Sequence, residues 1–426
     1  MDAPDVVVVG LGFTGLPTAV AAAAAGSRVL GLDKSVRRVR AVTGTRAGSG
    51  LGTVSEHAVR TALRGGRLEV RAFRGRVPAA PVHVLCLPTP ADRRGGVDLG
   101  PLSGVVDAVG RVLRPGDLVL VQSTCPPGTV AGSVVPLLER RSGLRAGPDF
   151  HVACAPMRID PGNERHTYAT IPRVVGGYTA RCGLVASRFV SAMAQEVVGV
   201  TTSCAAELAK VFENTFRLVN ISLVNEFAVL CRGYGVDVVE ALRAAGTKPF
   251  GFLGHHPSAG AGGDCVPVAA RLFSTAARRR GLHSPVVDAA LAVNDAMPAR
   301  TAHLVRAAVR RLTGKALREN KVVVLGVTYK PDTPGVGNSA AVAVLEELRR
   351  DTDVSYHDPY VPELVLSDGT VLVATGTREV AEHDVVLVLT RHDAYRDVLA
   401  GGYVVPVLDC AGGEPKAVGG RAEAAA

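Results

Sequence analysis

Apolar positions along this chain follow two alternating rhythms. Short β-branched runs stand at Val6–Val9, Arg28–Leu32, Val82–Leu87, Leu118–Gln122 and His151–Ala153, with a weaker one at Val174–Val175. Stretches with helical spacing, such as Thr18–Ala24 and Leu102–Leu113, fall between them. Strand runs separated by helical patterns build βαβ units, so residues 1–200 are expected to form a Rossmann-type, doubly wound parallel sheet. From Ser203 the rhythm changes. Ser203 reads as an N-cap, Glu207 stands one residue beyond the capping-box position, and helical spacing continues to Arg232, with Gly233 as a stop. An apolar stripe on that helix (Leu208, Val211, Phe212, Thr215, Val219, Leu223) is expected to be buried against a symmetry mate or neighbouring domains. A second long helix is expected over Pro285–Leu312. Strand spacing returns at Lys321–Val327, Val354–His357, Val385–Leu389 and Val404–Leu408, with a helix at Ala340–Arg350. The expected organisation is α/β at both ends: residues 1–200, a long-helix domain over 201–312, and a smaller α/β domain over 313–426.

Composition narrows the class. The chain has 426 residues, 47% of them apolar, enough for several cores. No apolar run reaches the roughly 18–20 residues of a membrane span, and the N-terminus lacks the basic flank of a signal peptide. A cytoplasmic location without membrane contact is therefore expected. Eight cysteines are scattered without metal-ligand spacing, so reduced thiols and no metal are expected. The formal charge of +9 suits an anionic ligand, but dispersed arginines in an Ala/Arg/Gly/Val-rich chain read equally well as composition bias. With no Trp, few aromatics and no basic stripe, nucleic acid is not an expected partner.

Four constellations carry chemistry. Gly10-Leu-Gly12-Phe13-Thr-Gly15 follows a strand and opens a helix, as a dinucleotide fingerprint must. Gly10 permits the turn, Gly12 lets the backbone approach a pyrophosphate, and Gly15 lets helix and strand pack closely. Asp33 ends the next strand, where its carboxylate can accept ribose hydroxyls, favouring NAD over NADP. Pro88-Thr89-Pro90 and Ser123-Thr124 close two further strands, where ligands bind in such sheets; taken singly, each reads as a plain loop. Glu207, Lys210 and Asn214 share a helix face, either a charge and a donor for an oxyanion or a solvated stripe. Cys265 directly follows the glycine turn Gly260-Ala-Gly262-Gly263-Asp264, where a thiol is accessible and a nearby Lys favours the thiolate. Burial is the bland alternative for any cysteine, and the other seven are read as core.

At these residues the chain resembles the UDP-glucose/GDP-mannose dehydrogenase family, most closely its UDP-N-acetylhexosamine 6-dehydrogenase branch. The resemblance rests on VVVVGLGFTGLP, CLPTP, STCPPGT, RIDPGN with PRVVGG, AELAKVFENTFRLVNISLVNE, TKPFGF, GGDCVPV, GVTYKPD and SYHDPYVP, nearly end to end. It implies an NAD domain, a helical dimer-forming middle and a C-terminal nucleotide-binding domain. It also implies two-step oxidation of a sugar's primary alcohol with two NAD, through a cysteine thiohemiacetal and thioester. By position, Cys265 would be the nucleophile, and Lys210 and Asn214 would stabilise the oxyanion and orient water. Phe250 and Gly251 would lie in the substrate loop, and Lys330 would touch substrate or cofactor. The cofactor would meet Gly10, Gly12, Phe13, Gly15, Asp33, Pro88, Thr89 and Thr124. The implied partners are a nucleotide sugar and a second copy of the chain.

The sequence also departs from that pattern. Where the family reads SPER, this chain has Ala155-Pro156-Met157-Arg158, without the catalytic Glu. GGHCIPVD becomes GGDCVPVA, so Asp264 replaces a His and Ala269 an Asp. DDLRES becomes Pro334-Gly-Val-Gly-Asn-Ser339, and DTRG becomes Asp409-Cys-Ala-Gly412, each losing an Arg. Three readings follow: a working dehydrogenase, a partial one that stops at aldehyde or thioester or takes another alcohol, and a degenerate NAD-binding paralogue.

Overall fold

All four residues of the first β-branched run, Val6–Val9, are buried, and they form the central strand β1 of the larger sheet. The computed structural model describes residues 3–44, 54–90, 97–160, 163, 165–263, 265–400 and 405–418. Val404, Asp264 and the alanine-rich tail lie outside the described residues.

Eight strands follow in the first half: β1, β2 (Val29–Asp33), β3 (Leu68–Ala72), β4 (Val82–Leu85), β5 (Leu118–Val121), β6 (His151–Cys154), β7 (Arg173–Gly177) and β8 (Val197–Val200). Their spatial order is β3-β2-β1-β4-β5-β6-β7-β8, which reverses direction between β1 and β4. β1 to β6 are parallel throughout, and β7 is antiparallel to β6. The expected parallel sheet thus carries a reversed pair, β7 and β8, at one edge. Helices α1 (Gly15–Ala24), α2 (Val36–Thr43), α3 (Glu56–Arg64), α4 (Gly100–Gly110), α5 (Val135–Ser142) and α6 (Ala180–Ser191) connect the strands. Two apolar clusters, one on each sheet face, pack β1's Val6 and Val8 with α1 and its Val7 and Val9 with α4.

Helix α7 runs Ser203–Gly233, followed by α8 (Val238–Ala245), α9 (Val266–Arg279) and α10 (Pro285–Thr313). The expected cap is displaced by one residue: Thr202 Oγ1 accepts from the Ala205 N–H at 3.1 Å, and Ser203 lies inside the helix. The expected stripe also splits. Val211 and Thr215 are buried in line with Leu218, Ser222 and Asn225, whereas Leu208, Phe212 and Leu223 are exposed within this chain.

A second sheet is built from β9 (Lys321–Leu325), β10 (Asp353–His357), β13 (Val385–Val388), β14 (Val407–Asp409) and β15 (Lys416–Val418), with a separate hairpin of β11 (Glu363–Val365) and β12 (Val371–Val373). Its order is β10-β9-β13-β14-β15, parallel except for β15, with α11 (Ala340–Leu348) and the short α12 (Arg396–Leu399) connecting strands. The chain divides into two compact units, Met1–Glu213 with Arg271–Leu282, and Asn214–Ala270 with His283–Ala426. Among the described residues no helix is long and apolar enough to cross a membrane.

Candidate active site

The turn after β1 lies at the switch point of the first sheet, where open α/β sheets bind ligands. Gly10 has a φ of +90°, and a Cβ there would stand 2.3 Å from the Cys86 carbonyl oxygen. At Gly15 a Cβ would stand 1.7 Å from the Gly10 carbonyl oxygen. Gly12 differs: nothing lies within 4 Å of the position its Cβ would take. Two of the glycines are therefore demanded by the fold, and the third leaves a space that the fold does not need. The Asp33 carboxylate is tied to the same turn, with Oδ2 accepting from the Leu11 N–H and Oδ1 from the Ser35 N–H, each at 2.8 Å. An open glycine, a helix N-terminus and a fixed carboxylate suit a dinucleotide's pyrophosphate and ribose.

The loops after β4 and β5 meet beside that turn. Thr89 Oγ1 donates to the Thr124 carbonyl at 2.6 Å, and the Leu87 N–H donates to Ser123 Oγ at 2.9 Å. Two threonines read separately in the sequence are thus joined, while Pro88 beside them is exposed.

The helix face carrying Glu207, Lys210 and Asn214 is not uniform. Glu207 is buried, and its carboxylate accepts from the Gly128 N–H at 2.6 Å and the Val130 N–H at 2.9 Å. Burial pushes its pKa up to about 7, opposed by hydrogen bonds from the Val130, Gly128 and Thr129 amides. Glu207 thus clamps α7 to the loop after β5, a partnership across 79 residues that helical spacing does not reveal. Lys210 and Asn214 are half-buried on the same helix. Arg158 pairs with Glu213 of α7 at 2.6 Å.

Cys265 is exposed and stands immediately before α9, its carbonyl accepting from the Ala269 N–H at 3.0 Å. It therefore stands at the N-terminal end of that helix. Asn214 Nδ2 donates to the same carbonyl at 3.4 Å. The glycine turn fits against the 335–339 segment: the Gly263 N–H donates to the Gly337 carbonyl at 3.0 Å, and a Cβ on Gly262 would stand 2.6 Å from the Asn338 carbonyl oxygen. Of the other cysteines six are buried and Cys204 is half-buried. Burial pushes the Cys86, Cys125, Cys154, Cys204 and Cys410 thiols above their ordinary range.

The two positions where the resemblance implies carboxylates are both buried. Ala269 is fully buried, and Met157 presents its Sδ to Arg173 Nη1 at 2.8 Å. Phe250 and Gly251 lie on an exposed loop, with Lys248 Nζ 5.0 Å from the centre of the Phe250 ring. Lys330 is half-buried in the loop after β9. That loop borders a cavity of about 220 Å³ at the strand ends of the second sheet, lined by Gly260, Thr328, Tyr329, Thr390 and Arg391 among others. Among the described residues no group of His, Cys, Asp and Glu is arranged to hold a metal ion.

A Rossmann sheet with an open phosphate turn and a fixed acid, joined in one chain with a second α/β domain, defines an NAD-binding oxidoreductase. Residues 4–196 match the NAD binding domain of the UDP-glucose/GDP-mannose dehydrogenase family, residues 204–296 its central domain and residues 323–408 its UDP binding domain. The chain belongs to that family, and NAD is its cofactor. It is 33% identical over 399 residues to UDP-N-acetyl-D-mannosamine dehydrogenase of Pyrococcus horikoshii, covering 92% of this chain and 90% of that protein. It is 30% identical to UDP-N-acetyl-D-glucosamine 6-dehydrogenase of Pseudomonas aeruginosa, covering 92% of each. The solved UDP-D-ManNAc dehydrogenase from Pyrococcus horikoshii superposes with a TM-score of 0.83 at 29% identity, over 95% of this chain and 94% of that one.

Proposed function

We propose that this protein is an NAD-dependent nucleotide-sugar 6-dehydrogenase that oxidises the primary alcohol of a UDP-sugar through Cys265, with a UDP-N-acetylhexosamine as the first substrate to test. The observation that carries this reading is the placement of Cys265, an exposed thiol at the N-terminal end of a helix, with its backbone held by Asn214. Residues 1–200 bind the cofactor in this reading, residues 201–312 form the helical middle, and residues 313–426 hold the nucleotide. NAD, when bound, provides the hydride acceptor for both oxidations. The Cys265 thiolate adds to the C6 aldehyde. Lys210, one helical turn before Asn214, supplies positive charge to the oxyanion that forms. Water then cleaves the thioester to the uronic acid and restores the thiol. Gly10, Gly12, Phe13, Gly15, Asp33, Pro88, Thr89 and Thr124 line the cofactor's path, and Phe250, Gly251 and Lys330 meet the nucleotide sugar.

A partial dehydrogenase is a second reading, supported by one observation: Met157 and Ala269 provide no proton acceptor for the hydrolytic water. NADH formed per substrate, across a panel of UDP-, GDP- and dTDP-sugars with mass spectrometry of products, separates the cases. Two NADH per substrate and a uronic acid support the full reaction, one NADH per substrate supports arrest at the aldehyde, and a burst of two NADH per chain without further turnover supports arrest at the thioester. No NADH with any sugar would overturn both readings.

A further inference from the structure

Arg173, the first residue of β7, is 1% exposed. A guanidinium taken out of water normally faces a carboxylate, because an unpaired buried charge is strongly unfavourable. Arg173 faces none among the described residues. Its Nη1 meets the Met157 thioether at 2.8 Å, a weak acceptor, and its Nη2 stands a long 3.5 Å from the Ala155 carbonyl. Its Nε has no partner among the described residues. The Tyr168 ring covers the guanidinium at 4.8 Å, and the buried Tyr168 hydroxyl likewise has no partner among the described residues. Arg158 adds positive potential to the same region, and its own charge is already matched by Glu213. The result is a buried cation with unused donors and, among the described residues, no counter-charge. Water would satisfy the donors and leave the charge unmatched.

We infer that Arg173 and Tyr168 form a binding site for a small monovalent anion, of chloride or formate size, in the interior of the NAD-binding domain beside Met157. The anion completes the coordination of Arg173 and thereby fixes the Ala155–Arg158 segment against the start of β7. This inference is independent of the sugar and of Cys265.

The test uses the full protein, dialysed to equilibrium into gluconate, an anion much larger than chloride or formate. Chloride, bromide and formate are then titrated at constant ionic strength while the thermal midpoint is followed. A ligand that binds only the folded state raises that midpoint saturably, here by on the order of several degrees. The halide and formate arms show which anion the site prefers. In Met157→Glu, the new carboxylate meets Arg173 directly, so the midpoint should stand high in gluconate and no longer respond to the small anions. Crystals grown in bromide should show anomalous density on the Arg173 guanidinium, which tests the site without any variant. A midpoint indifferent to all three anions, an anion response unchanged in Met157→Glu, or bromide density absent from Arg173 would each overturn the inference.

Discussion

At the scale of single residues, the three fingerprint glycines are required for different reasons, and substitution should separate them. A methyl group on Gly15 would overlap the Gly10 carbonyl oxygen, at 1.7 Å, so the backbone must move. Gly15→Ala should therefore destabilise the fold by on the order of 3 kcal/mol, read from urea unfolding. Gly12 has open space where its Cβ would stand, so Gly12→Ala should unfold within about 0.5 kcal/mol of the wild type yet lose NAD binding by calorimetry. Equal loss of stability in both variants would count against Gly12 as a ligand-facing residue. Glu207 offers a second test, through pH. Burial raises its folded pKa to about 7, above its ordinary 4.5. The folded state therefore holds the proton more tightly, so the associated stability is complete below pH 4.5 and is lost as pH rises through 7. The total is on the order of 3 kcal/mol. Glu207→Gln removes that titration, so its thermal midpoint relative to wild type should climb between pH 4.5 and 7. A constant difference across that range would show that Glu207 stays ionised in the folded protein. Taking the difference cancels His83, whose burial lowers its pKa and gives the opposite slope.

At the scale of elements, α7 joins two stripes with different needs. Val211, Thr215, Leu218, Ser222 and Asn225 are buried within the chain, while Leu208, Phe212, Phe216, Leu223 and Leu230 stand between 43% and 61% exposed. Apolar side chains repeated along one helix favour a partner surface, and a second copy offers a self-complementary one. The protein is expected to be a homodimer, and Phe212→Asp with Leu223→Asp to be a folded monomer by light scattering. A wild-type monomer at micromolar concentration would refute this. The sequence revealed α7 because its apolar residues recur at helical spacing over 31 positions, but spacing cannot separate the side packed within the chain from the side left outside. The same limit explains the shorter elements. β1, β4 and β5 are short runs rich in valine and leucine, largely buried on both faces, and were legible as such. β3, with the sequence LEVRA, has charged residues at two of five positions and gave no such signal. The reversal of β7 depends on its pairing with β6, which no local pattern encodes. In the site, the glycine turn was legible because its chemistry is local. The Glu207 clamp and the Arg173 environment were not, because their partners lie 79 and 16 residues away in sequence.

At the scale of the whole molecule, the chain repeats one device: a mostly parallel sheet with a ligand crevice at its strand ends, once for NAD and once in the UDP binding domain. In the proposed reaction, the step that decides the outcome is the release of the acyl group from Cys265. In that reading, the exposed thiol and the Asn214 contact at its backbone serve the addition to an aldehyde. Hydrolysis of the resulting thioester needs a base to take a proton from water, a contribution of roughly 10²–10⁴-fold. Ala269 cannot supply it, and Met157 is turned to Arg173. The acyl-enzyme is therefore expected to accumulate. Incubation with NAD and an accepted sugar nucleotide, followed by quenching and intact-mass measurement, should show one adduct per chain, absent in Cys265→Ser. Ala269→Asp should clear it faster, because residue 269 lies one helical turn beyond Cys265 on α9. Met157→Glu should restore less, since Arg173 would hold the new carboxylate in an ion pair and lower its basicity. Rapid formation of uronic acid with no adduct, undiminished in Cys265→Ser, would show that the cysteine does not carry the reaction. Rapid turnover that does require Cys265 would instead point to a base elsewhere in the site, and an unchanged adduct lifetime in Ala269→Asp would place the missing step away from α9.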